Sequence, residues 1–175
     1  MNTKEILQRF EETADVYLQS LERFTMEQLT RKPEEAQWSI GQMYMHLINS
    51  ALYMHLRNAE TCCNSNKLSF TGAEKSEAGA NVFAAGSFPP VAIHVPPSKE
   101  YTPLQPESKE QISSGLRAVI STMRELEPLL AANPGPAACP HPRFGPLNGL
   151  EWFQLVEMHY RHHFMQKERL EALIS

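Results

Sequence analysis

The sequence predicts an all-α protein: an up-down four-helix bundle with a long Pro-rich loop between helices 2 and 3. Three observations carry this expectation. Apolar residues recur at three-to-four spacing over four long stretches. Three of those stretches open on a helix-capping pattern. The helix breakers are concentrated between the stretches rather than scattered through them.

Helix 1 is expected from about Thr3 to Phe24, its inner face formed by Ile6, Phe10, Tyr17, Leu21 and Phe24. A short turn with Pro33 fills Thr25 to Gln37. Helix 2 begins at the N-cap Ser39, where Gln42 completes a capping box and Trp38 and Met43 occupy the hydrophobic-staple positions. It runs to about Cys63 and ends at Asn64-Ser65-Asn66. From Ser65 to Glu107 the periodicity fails. Gly72, Gly79 and Gly86 are followed by Pro89-Pro90, Pro96-Pro97, Pro103 and Pro106, which together forbid a continuous helix. A loop of this length in a compact domain is a candidate to shape a site, and its apolar residues Val82, Phe83, Phe88, Val91, Ile93 and Val95 suggest packing on the bundle, with a short strand at Val91–Val95. Helix 3 opens with the capping box Ser108 to Gln111 and carries Ile112, Leu116, Val119, Met123, Leu126 and Leu130, with Pro128 kinking or ending it late. A second breaker run, Asn133-Pro134-Gly135-Pro136, leads to Cys139-Pro140-His141-Pro142. Helix 4 opens at the N-cap Asn148 with Glu151 three residues on, and continues almost to Ser175. The long loop can cross over or make a hairpin, so the order of the helices around the bundle stays open.

Composition narrows the function. The 175 residues fit a single domain, 1–175, with a sizeable core. A net charge of −4 with no basic run argues against nucleic-acid binding. No stretch reaches the roughly 18 apolar residues of a membrane span, and the N-terminus shows no signal-peptide core. Cys62, Cys63 and Cys139 are an odd set with an adjacent pair, a poor disulfide framework, so a reducing cytoplasm is the expected location. Phosphate-binding and nucleophile-elbow motifs are missing, and Asp15 is the only aspartate, which argues against an Asp-based triad or a calcium site.

The candidate chemistry lies in Met158-His159-Tyr160-Arg161-His162-His163. With His159 set at zero, helical rotation puts His163 at about +40°, Gln166 at about −20° and His162 at about −60°. Trp152, Leu155, Val156 and Leu170 surround them, so His159, His163 and Gln166 lie mid-stripe and His162 at its margin. Two imidazoles at i and i+4 can reach one ion, and a third from a facing helix completes a three-ligand site with an open position. His46, on the inward face of helix 2 with Met43, Leu47, Ser50 and Tyr53, is the best third ligand. His55, about 180° further round, is expected to face out. His94 and His141 are read as solvated loop residues. Glu157 lies about 160° from His159 and cannot form a di-iron Glu-x-x-His pair with it.

At these residues the chain resembles the DinB/YfiT-like superfamily of metal-binding four-helix bundles. Trp38-Ser39-Ile40-Gly41-Gln42-Met43-Tyr44-Met45-His46-Leu47 is similar to that family's start of helix 2. His141-Pro142-Arg143-Phe144-Gly145-Pro146, followed by His159-Tyr160-Arg161-His162-His163-Phe164-Met165-Gln166, is similar to its closing loop and helix. The resemblance implies metal ligands at His46, His159 and His163, a divalent ion with zinc or nickel the usual choices, and a homodimer. It implies either transfer of a low-molecular-weight thiol to a small electrophile, or metal-dependent hydrolysis of small amides or esters. On the residues themselves, Gln166 is a candidate to orient a ligand histidine, and Tyr53, Ser50 and His162 are candidates to support a ligand or touch the substrate. No side chain is an obvious general base for water, which favours thiol transfer. A non-enzymatic bundle acting through the long loop is the alternative of a different class.

Overall fold

The computed structural model describes residues 1–64, 74–89, 102–133 and 137–174. Among these residues the chain is mostly helical, with one two-stranded sheet. The long helices are α1 (Thr3–Glu22), α3 (Ile40–Ser50) continuing through a π-helical turn (Ala51–Leu56) into α4 (Arg57–Asn64), α6 (Lys109–Ala132), and α7 (Gly149–His162) followed by α8 (Phe164–Ile174). Among the described residues no helix is long and apolar enough to cross a membrane.

Local chemistry explains where these helices start. Asn2, Ser39 and Asn148 each accept a hydrogen bond from the backbone of the third helical residue, and Glu5, Gln42 and Glu151 reach back to the cap. Ser108 caps α6 in the same way, but the Gln111 carbonyl accepts from Glu107 N–H, one residue before the cap. The expected stripes are the core: Ile6, Phe10, Tyr17 and Leu21 of α1 and Ile112, Leu116, Val119 and Met123 of α6 are essentially inaccessible. α1 packs on α6 and α7, α3 on α6, and α4 on α7. Three tyrosines lock the centre. Tyr17 Oη donates to Tyr160 O at 2.8 Å and Tyr44 Oη to Tyr17 O at 2.9 Å, joining α1, α3 and α7.

Several elements differ from the sequence expectation. Thr25–Gln37 contains a short helix, α2 (Met26–Thr30), with its own Thr25–Gln28 capping box. The segment expected to be irregular contains α5 (Glu77–Ala85), capped by Ser76 and stopped by Gly86 at φ 61°. Only the left-handed region ends a helix this way, and glycine enters it without strain. The apolar residues of α5 are too few to stand out as a period. A Cβ on Gly79 would collide with the Phe144 carbonyl, so α5 lies directly on the chain near Phe144. The suggested strand at Val91–Val95 lies outside the described residues. The end of the long connection is pinned over the start of α3: Gln42 Nε2 donates to Pro103 O at 2.7 Å and Ser39 Oγ to Gln105 Oε1 at 2.8 Å. Pro128 neither ends nor breaks α6, which continues to Ala132.

The breaker run before the last helix is a hairpin, β1 (Ala138–His141) and β2 (Gly145–Asn148), with Cys139 opposite Leu147. Pro140 faces Pro146 in that register, which a two-stranded edge tolerates. Cys62 Sγ of α4 and Cys139 Sγ of β1 are buried 3.3 Å apart as free thiols. The closing helix is not continuous. His163 adopts φ −77°, ψ −2° between α7 and α8. The ladder nonetheless passes through it, His163 N–H donating to His159 O and Lys167 N–H to His163 O. Angular register across the joint is therefore kept.

The π-helical turn has the largest consequence. A π turn accommodates one residue more than an α turn. On unbroken α geometry Tyr53 falls about 20° and His55 about 180° from His46; with one residue absorbed these become about 120° and about 80°. Accordingly Tyr53 is 71% exposed and His55 only 4% exposed. The expectations that Tyr53 shares the His46 face and that His55 faces out are both reversed.

Candidate metal centre

His46 comes from the regular part of α3, and His159 and His163 from the last turn and end of α7. His46 Nε2 and His163 Nε2 each lie 3.1 Å from His159 Nε2. The three ligand atoms all fall within 4.8 Å of one another. An ion bound tetrahedrally at about 2.0–2.1 Å sets its nitrogen ligands about 3.3–3.4 Å apart. The two spacings to His159 Nε2 thus need only a few tenths of an ångström of opening to match it. The rings stand steeply to each other, 83° for His46 and His159 and 73° for His159 and His163, so that edges rather than faces converge. All three residues keep partial exposure.

Hydrogen bonding and charge prepare these rings as ligands. Gln166 Oε1 lies 2.7 Å from His163 Nδ1. A carbonyl oxygen only accepts, so the proton sits on Nδ1 and His163 Nε2 offers a lone pair. Burial pushes His46 down to about 3, with neighbouring His163 adding to the effect. Burial likewise takes His163 down to about 4, opposed in part by the Gln166 bond. His159 is held well below the ordinary histidine value by burial first and then by His46 and His163. Near neutral pH all three rings are uncharged, the state a metal ligand needs. Among the described residues, no carboxylate is among the groups acting on them.

A family model described as the DinB superfamily matches residues 9–166, a span that contains all three histidines. The chain belongs to the DinB superfamily. No curated protein and no solved structure matches it.

The other residues of this DinB superfamily chain fall into distinct places. Half-buried Ser50 stands one turn beyond His46 at the end of α3. Tyr53 points to solvent beyond it. His162 is half-buried at the rim, its ring 5.4 Å from His163 and 5.2 Å from Phe88. Glu157 is buried, as a polar residue on the face away from His159, and is paired there with Arg161 at 2.8 Å. Arg161 also donates to Gly86 O at 2.7 Å, which fastens the end of α5 and with it the chain leading to Phe88. His141 is on β1, stacked on Phe144 at 4.3 Å, with Nδ1 accepting from the backbone N–H of Arg143 and Phe144. His94 lies outside the described residues.

Sequence reasoning missed three neighbours of the triad. Trp38, assigned only a staple role, lies 5.0 Å from His46. Phe88 reaches His159 at 6.2 Å. His55 lies 5.3 Å from His159 and 6.1 Å from Trp152. Trp38 sits two turns before His46, which is a readable signal. Phe88 follows a loop helix and His55 lies within the π turn, and neither announces itself in a periodicity.

Proposed function

We propose that this protein is a metal-dependent enzyme in which His46, His159 and His163 hold one divalent ion, zinc or nickel. The observation that carries the reading is the convergence of three neutral imidazole nitrogens at 3.1 Å steps. A divalent ion held by these three residues would supply Lewis acidity that favours deprotonation of a thiol or a water near neutral pH. The preferred reaction is S-transfer from a low-molecular-weight thiol to a small electrophile: a sulfur–carbon bond forms, the leaving group departs with its electron pair, and the thiol proton goes to solvent. The absence of any carboxylate, among the described residues, from the groups acting on the triad supports this over water activation. Trp38 and Phe88 border the triad with apolar rings and favour an apolar substrate body. Gln166 orients His163 through its carbonyl.

The same reading takes the long helices as an up-down four-helix bundle, with the 65–107 connection between its second and third members, acting as a cytoplasmic homodimer on small molecules. A second reaction, hydrolysis of small amides or esters, draws on His162: burial lowers its pKa, leaving a neutral base at the rim beside His163. Elemental analysis of untagged protein, followed by turnover assays with thiol plus electrophile and with esters and amides, separates these readings. Stoichiometric metal and thiol-dependent turnover lost in His159→Ala is the expected result. Thiol-independent ester or amide cleavage points to the hydrolase. Bound metal with neither turnover points to a non-enzymatic metal-binding bundle. No stoichiometric metal overturns the metal reading.

A further inference from the structure

Two of the buried polar atoms that lack a hydrogen-bond partner among the described residues are His159 Nδ1 and His55 Nδ1. They belong to rings whose centres are 5.3 Å apart at an interplanar angle of 70°. If His159 Nε2 faces the ion, His159 Nδ1 must carry the proton and is a buried donor. Buried donors are rarely left unpaired, and metal-bound histidines usually give this N–H to a second group. Among the described residues, two polar rings on the His55 side are already engaged. Trp152 is a donor only and gives its N–H to Cys139 O. His141 Nδ1 already accepts two backbone N–H groups. The orphan in ring contact with His159, His55 Nδ1, is an acceptor whenever His55 carries its proton on Nε2. The two orphans are therefore complementary, and the π turn is what brings the second one inward.

We propose that His55 is a positioning residue for His159: its Nδ1 accepts the His159 Nδ1–H through one buried water, fixing the ring's tautomer and direction. The inference rests on the reading of His159 as a metal ligand. Its role is geometric. His55 touches neither substrate nor ion, and the two nitrogens supply the minimum of two polar partners that a buried water needs.

The test uses zinc alone, titrated by competition into metal-free full-length protein. His55→Phe fills the ring's space without an acceptor, whereas His55→Asn returns an amide oxygen near the Nδ1 position. His55→Phe is expected to weaken zinc binding about 10–100-fold, the loss typical of an outer-shell partner, and His55→Asn to stay within about threefold of wild type. In zinc-loaded wild-type protein, long-range proton–nitrogen spectra are expected to show His55 protonated on Nε2. That measurement decides the matter if His55→Phe does not fold. Wild-type affinity in His55→Phe, equal losses in the two variants, or a His55 protonated on Nδ1 overturns the proposal. A wild-type protein that binds no zinc overturns the metal reading itself and this inference with it, so the two failures are distinguishable.

Discussion

The helix that carries His159 and the helix that carries His46 obey the same rotation rule up to a point, and they part company at Ser50. Along α7 the count of about 100° per residue brings His159, His163 and Gln166 to one face, and the hydrogen-bond ladder carries that register through His163. Along α3 the same count holds from Ser39 to His46, then fails by one residue in the Ala51–Leu56 turn. The failure exchanges two side chains. An aromatic expected at the site is left in water, and an imidazole expected in water is buried beside a ligand. Helical periodicity is thus reliable only while the hydrogen-bond pattern stays i to i−4, and a single-residue excess is enough to change which side chains can act.

The comparison can be broken most severely on the regular side. Deleting Gln154 from α7 rotates the two halves of that helix by about 100° and would pull Trp152, 0% exposed, out of phase with His159. The expected outcome is loss of the cooperative thermal transition and of near-ultraviolet circular dichroism. His159→Ala should leave the fold intact but lower zinc affinity by more than the roughly 10–100-fold typical of outer-shell changes, measured by competition titration. Gln166→Leu should lower it about tenfold, because His163 loses the carbonyl that fixes its tautomer.

Acid probes both sides together. His46 and His55 are pushed down to about 3 and His163 to about 4, against an ordinary value of 6.5. Below pH 6.5 the unfolded chain takes up protons that the folded chain refuses, so stability falls as pH drops and levels off only near pH 3–4. The slope is at most about 1.4 kcal/mol per pH unit for each such ring. Chemical denaturation of metal-free protein between pH 7 and 4 measures it, and His55→Asn should be visibly flatter than wild type. A slope of the opposite sign would contradict the buried neutral rings.

The smallest effect is expected where the periodicity already slips. Deleting exposed Tyr53 removes the extra residue of the π turn and returns it to α geometry, with His46 and His55 keeping their relative direction. The melting temperature should change by only a few degrees, about the shift that 1 kcal/mol produces in a domain this size. A collapse like that of the Gln154 deletion would show that the π turn itself, not the phase it sets, is required.

Much of the fold was legible because its signals are local. The capping pairs at Ser39 and Asn148 and the stripes of α1 and α6 depend on residues three or four apart. Elements α2 and α5 were missed because five and nine residues are too few for a stripe, though Thr25, Ser76 and Gly86 marked their ends. The hairpin was masked by its prolines, which read as breakers and are tolerated on a two-stranded edge.

By itself the sequence determined that this protein is helical, where its long helices begin, and that His46, His159 and His163 share inward faces, since spacing along one helix sets direction from that helix's axis. Only the tertiary structure decided that the three nitrogens meet at 3.1 Å steps, that Trp38 and Phe88 border them, and that His55 stands behind His159. Those facts depend on how separate helices pack and on one π turn, and packing distance and a one-residue change of phase are set by contacts between segments far apart in the chain.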